Sequence, residues 1–122
     1  MGRHLLADLY EVDQSLLRDE QKLMRILGEA LDQGGFTVIR QVSHRFSDGG
    51  EGVTGMFLLS LSHATFHSFP ELNYLAIDIF SCGPAEPQSV LSMLTRALAP
   101  RRVESTLAMR GATNGHMELT NR

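Results

Sequence analysis

The chain has a single cysteine, Cys82, so no intrachain disulfide can form, and a reducing compartment is the setting that suits it. It has no excess of basic charge: 11 lysines and arginines against 14 aspartates and glutamates leave a net charge of −3. That weighs against a nucleic-acid binder, which needs a basic face, and the adjacent Arg101 and Arg102 read as a solvated helix end. No apolar run approaches the roughly 20 residues that cross a bilayer. The first residues lack the basic-then-apolar order of a secretion signal, and Leu6 stands where a myristoylation motif wants Ser or Thr. There is no internal repeat and no low-complexity tract. The expectation is a cytoplasmic protein with neither membrane nor nucleic acid as partner.

What is present is an ordinary globular composition, 43% hydrophobic and 20% charged over 122 residues. That length suits one domain, read here as residues 1–110, followed by a loose polar tail at 111–122. Residues 4–10 read as a strand. Asp13 is the expected N-cap of one helix running to Gln33, with Leu16, Leu17, Leu23, Ile26, Leu27, Ala30 and Leu31 forming its apolar stripe. Gly34-Gly35 ends it. Further strands are expected from 36 toward 46, at 53–61, 64–69, 75–81 and 103–109, with a loop at 47–50. A second helix spans Pro87–Leu98, and Pro100 stops it. The pattern predicts an α+β fold: a two-layer sandwich, mainly antiparallel sheet with two helices on one face. Strands this apolar leave the other face to a second subunit, so a homodimer is expected.

Counting by twos places His63, Thr65, His67 and Phe69 on one strand face, which gathers polar groups there. By position alone, Ser62 reads as a turn residue, His67 as a structural histidine and Cys82 as a small buried thiol. His4, His44, His63 and His116 have no spacing that suggests a metal, and no metal site is expected.

Several motifs nevertheless recur in a fixed order. They are Gly2-Arg3-His4-Leu5-Leu6-Ala7-Asp8-Leu9-Tyr10 followed by Asp13; His44-Arg45-Phe46; and Gly52-Val53-Thr54-Gly55. Then come Ser62-His63, Thr65, His67, Pro70-Glu71 and Tyr74, and finally Asp78, Phe80, Cys82 and Gly83. This ordered set resembles the small prokaryotic S-adenosylmethionine decarboxylase proenzymes, which are pyruvoyl-dependent, and the likeness extends from Gly2 to about Val103.

The resemblance implies the fold of that family and a chemistry that starts with the chain cutting itself. The Ser62 hydroxyl would attack the Leu61 carbonyl, turning an amide into an ester. Elimination across the serine Cα–Cβ bond would then sever the chain and leave a dehydroalanine that hydrolyses to a pyruvoyl cofactor. His67 matches the histidine linked to removal of the α-proton, and Thr54 replaces a family serine that supports the cyclic intermediate. In turnover the pyruvoyl group would form a Schiff base with the substrate amine and accept electrons as carbon dioxide leaves. The product would serve as aminopropyl donor in spermidine synthesis. Cys82 would return a proton to the substrate carbon. Phe46 resembles an aromatic that stacks on adenine, Glu71 an acid that holds the ribose hydroxyls, and Phe69 lines the same pocket. Family members place these sites between two subunits.

Besides Thr54, three features depart from the family pattern. Leu61 stands where a glutamate usually precedes the cleaved serine, Phe69 replaces a tryptophan, and the loop at 47–51 carries about two extra residues. These changes keep two alternatives open. One is a pyruvoyl-dependent ornithine or arginine decarboxylase, with Glu51 facing the distal cation. The other is an unprocessed, non-catalytic homologue that acts as a binding or regulatory partner.

Overall fold

Alternation of apolar and polar residues decides which side of each strand meets the helices. A computed structural model of the chain describes residues 1–111 and 118–121. Its elements are β1 (Gly2–Tyr10), α1 (Gln14–Leu17), α2 (Glu20–Gln33), β2 (Val38–Arg45), β3 (Val53–Leu59) and β4 (Ser62–Phe69). A single 3-10 turn at Pro70–Leu72 follows, then β5 (Tyr74–Ser81), α3 (Pro87–Leu98), β6 (Arg102–Arg110) and β7 (Glu118–Asn121). The strands form one seven-stranded sheet in the order β2-β3-β4-β5-β1-β6-β7, every pair antiparallel.

Leu5, Leu9, Phe57, Phe66, Ile77 and Ile79 point from the sheet into one core with Leu23, Leu27 and Leu31 of α2 and Val90, Leu94 and Leu98 of α3. Each such side chain contributes about 1.5–3 kcal/mol by leaving water. Both helices lie on this one face, so the two-layer α+β sandwich expected from the pattern is the observed architecture. Along β5 the expected alternation holds, with Leu75, Ile77 and Ile79 buried and Ala76, Asp78 and Phe80 only partly covered.

The single helix expected from Asp13 to Gln33 is two helices. Asp13 does cap the first, its carboxylate accepting from the Leu16 amide at 3.1 Å. Asp19 then leaves helical geometry (φ −91°, ψ 89°) and caps the second, accepting from the Lys22 amide at 3.0 Å. Aspartate competes for backbone donors in this way and so favours helix starts over helix interiors. The second strand opens at Val38, two residues later than expected, because Phe36 closes the exit of α2 by donating its amide to the Leu31 carbonyl at 3.0 Å. β3 ends at Leu59 and β4 begins at Ser62, which confines the link to Ser60-Leu61.

Part of the stretch read as a loose tail is ordered into the sheet. Glu118–Asn121 pair with Thr106 to Met109 of β6, so their backbone groups are satisfied by an edge that would otherwise be open. Residues 112–117 and 122 of that stretch lie outside the described residues.

One buried polar group ties the layers together near the far end of β4. The Ser68 hydroxyl, 5% exposed, accepts from the Val53 amide at 2.8 Å and donates to the Leu17 carbonyl at 2.7 Å. Ser68→Ala would strand both partners, so urea unfolding is expected to show a loss of about 1–3 kcal/mol with an unchanged denaturant slope.

Candidate active site

The register between β4 and β5 sets Ser62 opposite Ser81, and the next residue past the end of β5 is Cys82. The Cys82 amide donates to the Ser62 Oγ at 3.2 Å, and the cysteine itself is exposed. On the other side of Ser62 is the two-residue link from β3, and such tight links favour a residue at positive φ. Here that residue is Leu61, at φ 59° and 78% exposed. For an L-residue with a side chain this conformation costs on the order of 1 kcal/mol. The Leu61–Ser62 peptide therefore follows a strained residue. A cavity of about 180 Å³ adjoins it, walled by residues 35–37, 60–62, 81 and 83–85.

The register between β3 and β4 builds a second cluster at the opposite end of the strand. Thr54 lies opposite His67, with Thr54 Oγ1 and His67 Nδ1 2.8 Å apart. Beside them is a cavity of about 290 Å³ bounded by Phe46, residues 48–50 and 52–54, His67, Ser68, Phe69 and Glu71. Glu71 can lie against the loop backbone because residue 50 is glycine; a Cβ there would collide with its carboxylate. The loop is pinned from beneath by Arg18, whose Nε donates to the Gly50 carbonyl at 3.1 Å. Phe46 meets His44 edge-on at 4.7 Å, and Phe69 stacks on Tyr74 at 5.4 Å. Glu51, the candidate partner for a distal cation, is paired instead with Arg45 and is absent from the cavity lining.

Within one chain the two clusters do not meet. His67 is five residues along β4 from Ser62, about 16 Å at the usual rise per residue, and an odd separation puts it on the opposite face. Thus Leu61, Ser62 and Cys82 stand together at one end, and Thr54, His67, Phe46, Phe69 and Glu71 at the other. The face that His67 shares is the one that no helix covers among the described residues. It carries Leu6, Val42, Met56 and Leu58, all between 42% and 61% exposed, beside His63, Thr65 and Asp78. Among the described residues no group of three or more His, Cys, Asp or Glu could hold a metal ion; His116 lies outside them.

Residues 3–111 match the model of the S-adenosylmethionine decarboxylase family. The chain belongs to that family. It is 32% identical over 122 residues to the S-adenosylmethionine decarboxylase proenzyme of Caldicellulosiruptor saccharolyticus, covering 99% of this chain and 97% of the relative. To the proenzyme of Thermotoga petrophila it is 37% identical over 112 residues, covering 91% and 85%. The crystal structure of the adenosylmethionine decarboxylase from Aquifex aeolicus is similar with a TM-score of 0.84 and 28% identity, covering 93% of this chain and 92% of that one.

Beside the site of this S-adenosylmethionine decarboxylase family member runs a polar stack that the sequence reading passed over. The Tyr74 hydroxyl donates to the Asp8 carboxylate, Tyr74 stacks on Tyr10 at 5.3 Å, and the Arg102 guanidinium lies 3.9 Å over the Tyr10 ring. Counting by twos along 4–10 and 74–81 places Asp8, Tyr10 and Tyr74 on the uncovered face. Their pairing, however, depends on the β1–β5 register, which no local signal reveals.

Partial burial, then the hydrogen bond to Asp8, holds the Tyr74 phenol well above its usual range; partial burial and then the Asp8 charge raise that of Tyr10. A raised phenol stabilises the fold while it stays protonated. That contribution is complete below about pH 10 and is lost as pH climbs through the folded value. The chain has two tyrosines and no tryptophan, so phenolate absorbance reports these rings alone. The folded protein is expected to titrate above free tyrosine and to return to the ordinary value in denaturant. An ordinary midpoint in the folded state would contradict the Asp8–Tyr74 pairing.

Proposed function

We propose that this chain is a cytoplasmic, self-processing, pyruvoyl-dependent decarboxylase of S-adenosylmethionine that works as a pair of subunits. Its product is the aminopropyl donor for spermidine synthesis. Family membership supports the reaction, and the observation that carries the reading is the division of the site residues between the two ends of β4. Each end is half a site. A second copy related by a two-fold axis, with its sheet laid over the uncovered face, would bring its Thr54–His67 end to the Ser62–Cys82 end of the first. The exposed Leu6, Val42, Met56 and Leu58 favour covering that face.

The residues around Ser62 fit a group made from its own atoms. The peptide to be broken follows the strained Leu61, and the Cys82 amide already engages the Ser62 hydroxyl. Once formed, a pyruvoyl group supplies an electron-accepting carbonyl. The chain's own side chains do the rest. His67, oriented by the Thr54 hydroxyl, takes the α-proton during cleavage. Phe46 and Phe69 offer ring faces to adenine, Glu71 offers two acceptor oxygens to ribose hydroxyls, and the exposed Cys82 thiol holds the proton owed to the substrate carbon. The amino-acid alternative is not favoured: the relatives matched above are S-adenosylmethionine decarboxylase proenzymes, and Glu51 is occupied by Arg45. The non-catalytic alternative is not favoured either, since Thr54, Ser62, His67 and Cys82 are all retained.

Intact-mass measurement of freshly purified protein should show fragments 1–61 and 62–122, the second beginning with a pyruvoyl group. Only the uncut mass, with Ser62 still a serine, would end this reading. Co-expression of Ser62→Ala with His67→Ala chains should restore cleavage of the His67→Ala chain, although neither variant cuts alone; no cleavage in the mixture would place the whole site in one subunit. Cys82→Ala should still cut itself but release carbon dioxide from S-adenosylmethionine on the order of 100-fold more slowly. Ornithine and arginine should yield none with the wild type.

A further inference from the structure

The turn that carries Cys82 is held by a residue the chemistry above does not use. Arg3, on β1, lies opposite Ser81 at the end of β5. Its Nη2 donates to the Gly83 carbonyl at 2.6 Å and to the Ala85 carbonyl at 3.0 Å, while Nη1 pairs with the Glu86 carboxylate. From the other side, the Ser81 hydroxyl donates to the same Ala85 carbonyl at 2.8 Å. The Arg3 side chain is only 21% exposed, so these bonds form largely out of competition with water. Nη2 spends both of its hydrogens on the two carbonyls while Nη1, fixed in the same plane, reaches Glu86; a lysine ammonium has one nitrogen on a flexible stem and does not hold all three acceptors in that arrangement.

We propose that Arg3 is a positioning residue for the Cys82 thiol, fixing the turn after β5 through its paired bonds to the Gly83 and Ala85 carbonyls. The inference rests on the reading of Cys82 as proton donor. It also accounts for how the turn keeps its shape through processing. In the uncut chain the Cys82 amide is tied to the Ser62 hydroxyl, and that hydroxyl is consumed when the chain cuts itself. The Arg3 bonds involve no atom of Ser62 and survive the change. The proton donor would otherwise lose its nearest anchor at the moment the site becomes active.

Two readouts test this. Cys82 is the only cysteine, so iodoacetamide labelling followed by intact mass reports on its turn alone, with no need for turnover. On a Ser62→Ala background, Arg3→Gln should label at least about 3-fold faster than the parent, at equal thermal midpoint. On the processed enzyme, Arg3→Gln should lower kcat by about 10-fold or more with KM for S-adenosylmethionine within about 2-fold, and Arg3→Lys should fail to restore it. If Arg3→Gln does not fold, Arg3→Lys carries both measurements and is expected to move each in the same direction. Unchanged labelling, unchanged kcat in a processed variant, or full rescue by lysine each overturns the clamp. If labelling accelerates but the wild type releases no carbon dioxide, the decarboxylase reading fails while Arg3 still fixes the turn.

Discussion

Everything about the site depends on how β4 is registered against its two neighbours. The bonding pattern with β5 places Ser62 beside the residue that follows β5, and the pattern with β3 places His67 beside Thr54. Neither juxtaposition needs a long loop or a flexible arm; both follow from ladders of main-chain hydrogen bonds, which leave no freedom to slide by one residue without turning the core outward. The same ladders keep the two clusters apart within one chain. Under the proposed function, the rigidity that makes each half accurate is also the reason a second copy would be needed to complete the site.

Small polar devices hold the ends of those strands where the proposed chemistry would need them. Ser68 joins α1 to β3 and β4 from inside the core, and Arg18 pins the loop whose glycine admits Glu71. At the other end, Leu61 occupies a conformation that glycine or asparagine would adopt more easily. A stabler turn was available to the fold at that position. The strain lies at the peptide whose breakage the proposed function requires, in keeping with the tendency of strained backbone to gather at functional sites.

Much of the architecture was legible in the sequence because burial on one face writes a pattern into the chain. The alternation of residues 75–81, the shared face of His63, Thr65, His67 and Phe69, and the bounds of the helix at Pro87–Leu98 are all of this kind. The break between α1 and α2 was not, since the leucine stripe continues across it and only the Asp19 side chain marks the second start. The strand at 118–121 was hidden for a different reason: pairing onto an edge uses backbone groups, which leave no trace in side-chain polarity. The site residues were recognisable as a motif. Their separation was not, because the strand was expected to begin at residue 64 and to leave Ser62 in a turn, whereas β4 begins at Ser62 itself; the Arg3 and Tyr74 contacts likewise depended on a β1–β5 register that only the folded sheet displays.

The placement of β1 has a consequence for what scission would leave behind. A cut before Ser62 assigns β1, β2 and β3 to one polypeptide and β4 to β7 to the other, yet β1 is flanked on both sides, by β5 and by β6. β3 is likewise bonded to β4 across the division. The two pieces are interleaved like the teeth of two combs, and neither can depart without dismantling the sheet's centre. Continuity of the covalent thread would thus be dispensable once the protein has folded, and the molecule could sacrifice a bond in its own backbone without coming apart.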